Sequence, residues 1–275
     1  LEAFVKERIK MRVPETVRVN LNGRLAEGVM ARDAFHHIVR VLGPAACCFQ
    51  VLEIGGDALP GISIDGRQTI NCLALFTGAV TSIMNPDAET LDYGRDRARI
   101  ELDPVFSDDD AAYAAVHDID VSDLEPVVVV PPRPSNTQDL ADYEGTEVHV
   151  GYLGSCASGR LEDLEAAARV LRGRRVRDGF QLNVVPTSQA IMEEAAAKGI
   201  LTELIASGAY VASSSCDYCF GRSGVMTAGQ RAVSTGTLNV RGRMGSPDSE
   251  IFIMNAAAVA ASAIEGKIAD PRKYL

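Results

Sequence analysis

The chain has 275 residues, 47% of them hydrophobic and 23% charged, with a net charge of -10. That length predicts two domains of ordinary size, and the acidic balance argues against a nucleic-acid surface, which needs clustered Lys and Arg to meet phosphates. The longest apolar runs, such as 127–132, fall far short of the roughly 20 residues of a membrane span.

The opening LEAFVKERIK is amphipathic and lacks the apolar stretch of a secretory signal, so the expected location is the cytoplasm. A first residue that is Leu and not Met predicts a piece of something longer. TVRVNLNGRL at 16–25 alternates around Asn-Gly and predicts a hairpin. Apolar spacing predicts a helix over 31–42, a short strand over 49–54 ended by Gly55 and Gly56, a helix over 67–80 and a buried strand at 82–84. From 87 to about 113 the chain is acidic and helical in character, with Ser107 and three Asp residues read as a helix start. The run VVVVPPRPS at 127–135 and the polar stretch to Gly145 predict a linker, because proline interrupts both ladders and helices.

Beyond it the pattern is more regular. Strands are expected at 147–153, 182–185 and 210–212, with helices at 160–172 and 188–198 and a further helical turn to Gly208. This alternation predicts an α/β fold with a mainly parallel sheet, whose ligand loops lie at the carboxyl ends of the strands. The basic run RGRRVRD at 172–178 reads as a solvated helix end.

Six cysteines stand at 47, 48, 72, 156, 216 and 219. Cys47, Cys48 and Cys72 sit in apolar surroundings and read as small core residues. Cys156 and the pair Cys216 and Cys219 fall in strand-end loops. A CxxC serves thiol redox chemistry, half of a zinc site or two corners of an iron-sulfur cluster. No histidine stands at zinc-finger spacing, and His36 and His37 read as surface or satisfied core residues on different sides of a helix.

The strings GSCASGRLEDL (154–164), VVPTSQA (184–190), CDYCFG (216–221) and NVRGRMG (239–245) occur in an order that resembles the aconitase superfamily. VPETVRV (13–19), GGDALPGISIDGRQTI (55–70) and AAAVAASAIEGKIAD (256–270) extend the resemblance over nearly the whole chain, on the side of 3-isopropylmalate dehydratase large subunits. It implies two consecutive aconitase-like α/β/α domains, 1–130 and 147–275, joined by a linker at 131–146. It also implies a 4Fe-4S cluster on Cys156, Cys216 and Cys219, with Thr237 where the family usually has an asparagine near the cluster. Arg243 matches a carboxylate-binding arginine, and Ser158 and Ser188 are candidate substrate contacts, the latter equally a helix N-cap.

The implied activity is a hydro-lyase reaction on a hydroxy di- or tricarboxylate such as isopropylmalate or a methylmalate-like acid. The implied partners are a small subunit carrying a swivelling domain with the catalytic serine, and an N-terminal domain that would precede residue 1. The chain departs from the pattern at Leu238, where the family has a second arginine, and at Cys72 and Phe76, where it has an asparagine and an acid. Those departures keep a second reading open, a non-catalytic or iron-sensing binding protein. A thiol redox protein using Cys216 and Cys219 alone is the third.

Overall fold

The computed structural model describes residues 2–98 and 101–275. A short helix, α1 (Glu2–Lys6), precedes β1 (Thr16–Asn22), α2 (Ala31–Leu42), β2 (Val51–Gly55), α3 (Ile64–Leu73), β3 (Thr81–Met84), α4 (Ala88–Arg97) and β4 (Ala115–Asp120). Their four strands form one sheet in the order β3-β2-β1-β4, all parallel.

Asn22 and Gly23 do not turn a hairpin. Both neighbours of β1 are parallel strands from elsewhere in the chain, and its alternation records one buried and one polar face. Val17, Val19 and Leu21 meet Phe35 and Ile38 of α2 and Ile70 and Leu73 of α3 in one apolar cluster. The opposite face carries Arg18, bonded to Asn20 and Glu53, and Asn20 donates to Asp118 at 2.9 Å. Ser107 starts no helix; its hydroxyl donates to Glu53 at 2.7 Å, and 107–110 run as turn and coil. The helical reading of 87–113 therefore holds for α4 alone, with residues 99 and 100 outside the described ones.

The second sheet has seven strands. In chain order they are β5 (Val127–Val129), β6 (Thr137–Asp139), β7 (Val150–Leu153), β8 (Gln181–Val184), β9 (Tyr210–Val211), β10 (Arg231–Ser234) and β11 (Glu250–Ile253). Their spatial order is β6-β5-β11-β10-β7-β8-β9, parallel from β11 to β9 with an antiparallel margin of β5 and β6. The stretch 131–146 is thus not a free linker. Its prolines form the turn between β5 and β6, two strands of the second sheet, and the passage between the sheets falls at 121–126.

Helices α5 (Leu161–Leu171), α6 (Gln189–Ala197), α7 (Ile200–Ala206) and α8 (Ala256–Glu265) bury Leu164, Ala195, Leu204 and Val259 against one face of this sheet. The other face, with Val150, Tyr152, Ala232 and Ile251, is covered by irregular chain bearing Cys219, Met226 and Met244. Strand alternation divides the residues cleanly, Tyr152 to one side and Leu153 to the other. Three consecutive residues of β5 enter three different apolar clusters: Val127 joins that of the first sheet, Val128 the helical face and Val129 the loop-covered face of the second.

Candidate iron-sulfur site

The strand order reverses between β7 and β10: the chain moves from β7 outward to β8 and β9, then returns on the other side. In an open α/β sheet the loops at the carboxyl ends of such strands splay apart and leave a crevice. The loop after β7 carries Cys156, and the loop after β10 carries Thr237 and leads to Arg243.

The β7 loop is held under strain. Ser155 has φ 95°, a left-handed conformation rare outside glycine. Its hydroxyl donates to the Thr235 carbonyl at 3.1 Å and accepts from the Ala157 amide at 3.3 Å. Thr235 in turn bridges Gly154 with its own hydroxyl, accepting from the amide at 2.8 Å and donating to the carbonyl at 2.9 Å. From α2 of the other sheet, the buried guanidinium of Arg32 donates to the carbonyls of Ala157, Thr235 and Gly236. Desolvation lowers its pKa, opposed by Asp163, Asp33 and the thiols of Cys156 and Cys219. Both loops at the switch point are therefore clamped by one cation.

Cys216 and Cys219 lie in the segment after β9, around a single 3-10 turn, Asp217–Phe220. Gly221 ends the turn at φ 73°, and a β-carbon there would stand 2.5 Å from the Met244 carbonyl carbon. This backbone-to-backbone approach sets the CxxC beside Arg243, whose Nη2 donates to Cys219 Sγ at 3.4 Å. Cys219 is buried, while Cys216 and Cys156 are exposed and line one cavity of 370 Å3 with Ser155, Val185, Pro186, Thr187, Ser214 and Ser215.

Tyr152 lies under all three thiols. Its phenol is pushed well above the usual range, first by burial and then by the negative charge that Cys219, Cys216 and Cys156 would carry. Its ring stacks on that of Tyr218 in the CxxC turn, with centroids 6.3 Å apart. Among the described residues the hydroxyl of Tyr152 has no hydrogen-bond partner, and neither do Ser214 Oγ, Asn183 Nδ2 or Arg243 Nε. Buried polar atoms are nearly always paired in native proteins. Such atoms near three cysteines free of disulfides mark a place that a polar, thiolate-bound group would fit.

Among the described residues no three His, Cys, Asp or Glu side chains are close enough to hold a single metal ion. A polynuclear cluster spreads its ligand sulfurs wider than one ion does, and the soft thiol donor set suits it.

The other expected residues fall as follows. Ser158 is fully buried and its carbonyl accepts from Thr187 Oγ1 at 2.6 Å. Ser188 accepts from the Ile191 amide at 3.2 Å as the N-cap of α6. Thr237 is half-buried in the β10 loop. Leu238 and Phe76 pack into the core of the first sheet. Cys48 is exposed and Cys72 half-buried, so only Cys47 is the core residue expected of all three. His36 is buried but not satisfied, since among the described residues neither ring nitrogen has a partner. Cys72 contacts Cys156: its Sγ donates to the Cys156 carbonyl at 3.2 Å, and the two thiols share a hydrogen bond. That bond draws Cys72 down to about 6 and pushes Cys156 up. Arg32, Tyr152 and Thr235 are the site residues that no sequence motif announced.

The chain matches the aconitase family (aconitate hydratase) over residues 2–144 and 137–266. It belongs to that family. It is 39% identical over 273 residues to a 3-isopropylmalate dehydratase large subunit of Methanopyrus kandleri, covering 99% of this chain and 65% of the relative. A probable methanogen homoaconitase large subunit of Methanothermobacter thermautotrophicus is 38% identical over 262 residues, covering 95% of this chain and 61% of the relative. The chain thus spans a little under two thirds of the length of these relatives. Among solved structures, aconitase X of Thermococcus kodakaraensis aligns with 82% of this chain and 49% of its own, at 15% identity and a TM-score of 0.46.

Proposed function

We propose that this chain is the cluster-holding region of a 4Fe-4S hydro-lyase that removes water from a hydroxy-dicarboxylate of the isopropylmalate type in the cytoplasm. Cys156, Cys216 and Cys219 would hold the cluster, with Thr237 beside it. The observation that carries the reading is the group of buried polar atoms, unpartnered among the described residues, near three free thiols at the carboxyl-end loops of a parallel sheet. When bound, such a cluster supplies a Lewis-acidic iron able to polarise a substrate hydroxyl.

The chain's own residues supply the rest. Arg243 offers a planar fork for a carboxylate, the geometry in which arginine binds most specifically. Its Nη2 faces Cys219, which sets the guanidinium beside the thiols. Tyr152, kept protonated by burial, presents a hydroxyl donor beneath the thiols. Arg32, Thr235 and Ser155 fix the two loops so that ligands and carboxylate clamp keep their spacing, the preorganisation on which transition-state stabilisation depends. The "large subunit" names of the relatives support a small-subunit partner, and the unspanned third of their length supports a further domain of the same protein. The general base is assigned to that partner.

The test is anaerobic reconstitution with iron and sulfide, addition of a small subunit and an N-terminal domain from a relative, and ultraviolet detection of the unsaturated acid. The expected result is product formation that is lost in Cys156→Ser. A cluster that survives that substitution sinks the assignment.

One observation favours a second reading. Leu238 and Phe76 are absorbed in the apolar core, so two polar contacts of the family's usual site have become packing contacts. A chain that holds a cluster and binds the acid without turning it over would bind isopropylmalate in calorimetry and give no product in the assay above.

A further inference from the structure

Cys72 has no place in the three-thiol set, yet it touches one of its members. It sits in the last turn of α3, in the unit built on the first sheet, and reaches across to the loop after β7. Its Sγ donates to the Cys156 carbonyl oxygen at 3.2 Å, so the thiol lies against the backbone of that residue. Arg160 donates to the same carbonyl at 3.3 Å, placing a positive charge beside the Cys72 thiol that shares this acceptor. Both cysteines are reduced, Cys156 exposed and Cys72 half-buried. An open cavity of 520 Å3, lined by Cys72, Arg160, Gln68, Asn71 and Ser82 among others, gives small solutes a way in.

We infer that Cys72 and Cys156 form a peroxide-sensitive dithiol that closes to a disulfide between the two units whenever the Cys156 sulfur is otherwise unengaged. One thiolate attacks an oxygen of hydrogen peroxide, the O–O bond breaks, and a sulfenic acid and one water result. The second thiol then displaces the sulfenic oxygen as a second water, forming the S–S bond. Two thiols are oxidised and one peroxide is reduced to two waters. The adjacent arginine stabilises the attacking thiolate, as cations beside reactive cysteines do.

The competing pair, Cys216 and Cys219, is closer in sequence but less accessible. Cys219 is buried and its sulfur is held by Arg243. Cys47 is buried, and Cys48 packs near Gly78, away from the site. The cross-link does not depend on the proposed function. Its consequence does: with Cys156 tied to α3, a cluster could not be seated until a thiol reductant reopened the bond.

The test uses the full chain, purified anaerobically and divided into samples with and without iron and sulfide reconstitution. Each is exposed to hydrogen peroxide, alkylated, digested without reductant and mapped by mass spectrometry. The expected product is a linked pair of peptides containing Cys72 and Cys156, two hydrogens lighter than their sum and lost on treatment with dithiothreitol. In Cys72→Ser the link disappears and Cys156 is recovered as its sulfinic acid. A Cys216–Cys219 link with Cys72 recovered alkylated overturns the proposal. A Cys72–Cys156 link that forms equally fast after reconstitution confirms the pair and overturns Cys156 as a cluster ligand, so the two readings fail separately.

Discussion

The guanidinium of Arg32 donates to the carbonyl of Ala157 at 3.2 Å, joining a helix of the first sheet to the residue that follows Cys156. It also holds Thr235 at 2.7 Å and Gly236 at 3.1 Å. Lysine keeps the charge but has no fork with which to meet three carbonyls at once. Arg32→Lys is expected to cost about 2 kcal/mol, and Arg32→Leu, which removes the guanidinium donor from all three carbonyls and leaves Thr235 only its bond from Ser155, about 4 kcal/mol. Urea denaturation measures both. Faster alkylation of Cys156 than in the parent chain would show that its loop had been released.

Asp33, the neighbour of Arg32, accepts from the Met30 and Val127 amides and from Asn255 Nδ2. Burial nonetheless raises its carboxyl to about 6. An unfolded aspartate titrates near 4, so between about pH 4 and 6 the folded chain binds more protons than the unfolded one. The contribution of Asp33 to stability is therefore full at low pH and falls as pH rises through that window, by roughly 3 kcal/mol. Glu162 and Asp163 are raised as well and act in the same direction. The difference in unfolding free energy between the parent and Asp33→Asn isolates Asp33: it should shrink by about 2 kcal/mol from pH 4 to 6.5. A flat difference would refute the assignment.

Gly221→Ala tests the seat of the CxxC turn. A methyl group at φ 73° meets the Met244 carbonyl carbon at 2.5 Å, backbone that cannot step aside. Left-handed strain alone is about 1 kcal/mol, and the clash brings the expected loss to about 3 kcal/mol. Thermal unfolding measures it, and Cys219, now buried, should become open to iodoacetamide.

Cluster retention gives the fourth prediction. Cys156→Ser, Cys216→Ser and Cys219→Ser should each lower the iron and acid-labile sulfide recovered after anaerobic reconstitution at least tenfold, because a thiolate's softness is not matched by a hydroxyl. Cys47→Ser and Cys48→Ser should retain them. Equal losses in all five variants would mean that the effect is on folding.

How far the site could be read from sequence depended on whether its parts were local. Cys156, Cys216 and Cys219 lie in short strings whose loops follow strands, and the alternation of apolar runs placed those strands within a few residues. Arg32 gave no sign, because in ARDAFHHIVRVL an arginine near the helix start reads as a solvated residue, and its partners lie more than a hundred positions away. Tyr152 lies within the expected strand 147–153 with nothing in its spacing to mark it, since only the packing of the CxxC turn over β7 makes its hydroxyl a site atom. Asn22 and Gly23 have the local chemistry of a hairpin, but burial of Val17, Val19 and Leu21 between two parallel neighbours outweighs a turn preference. The prolines after Val130 were expected in a linker; that the chain instead doubles back through them and pairs beside β11 is a tertiary feature.

The placing of Val127, Val128 and Val129 in three separate clusters bears on cooperativity. Neither sheet can lose its apolar seal without disturbing this tripeptide, and disturbing it opens the other two clusters. The two halves of the chain should therefore melt in one transition, and the Val127 and Val129 amides should exchange with deuterium only through global opening.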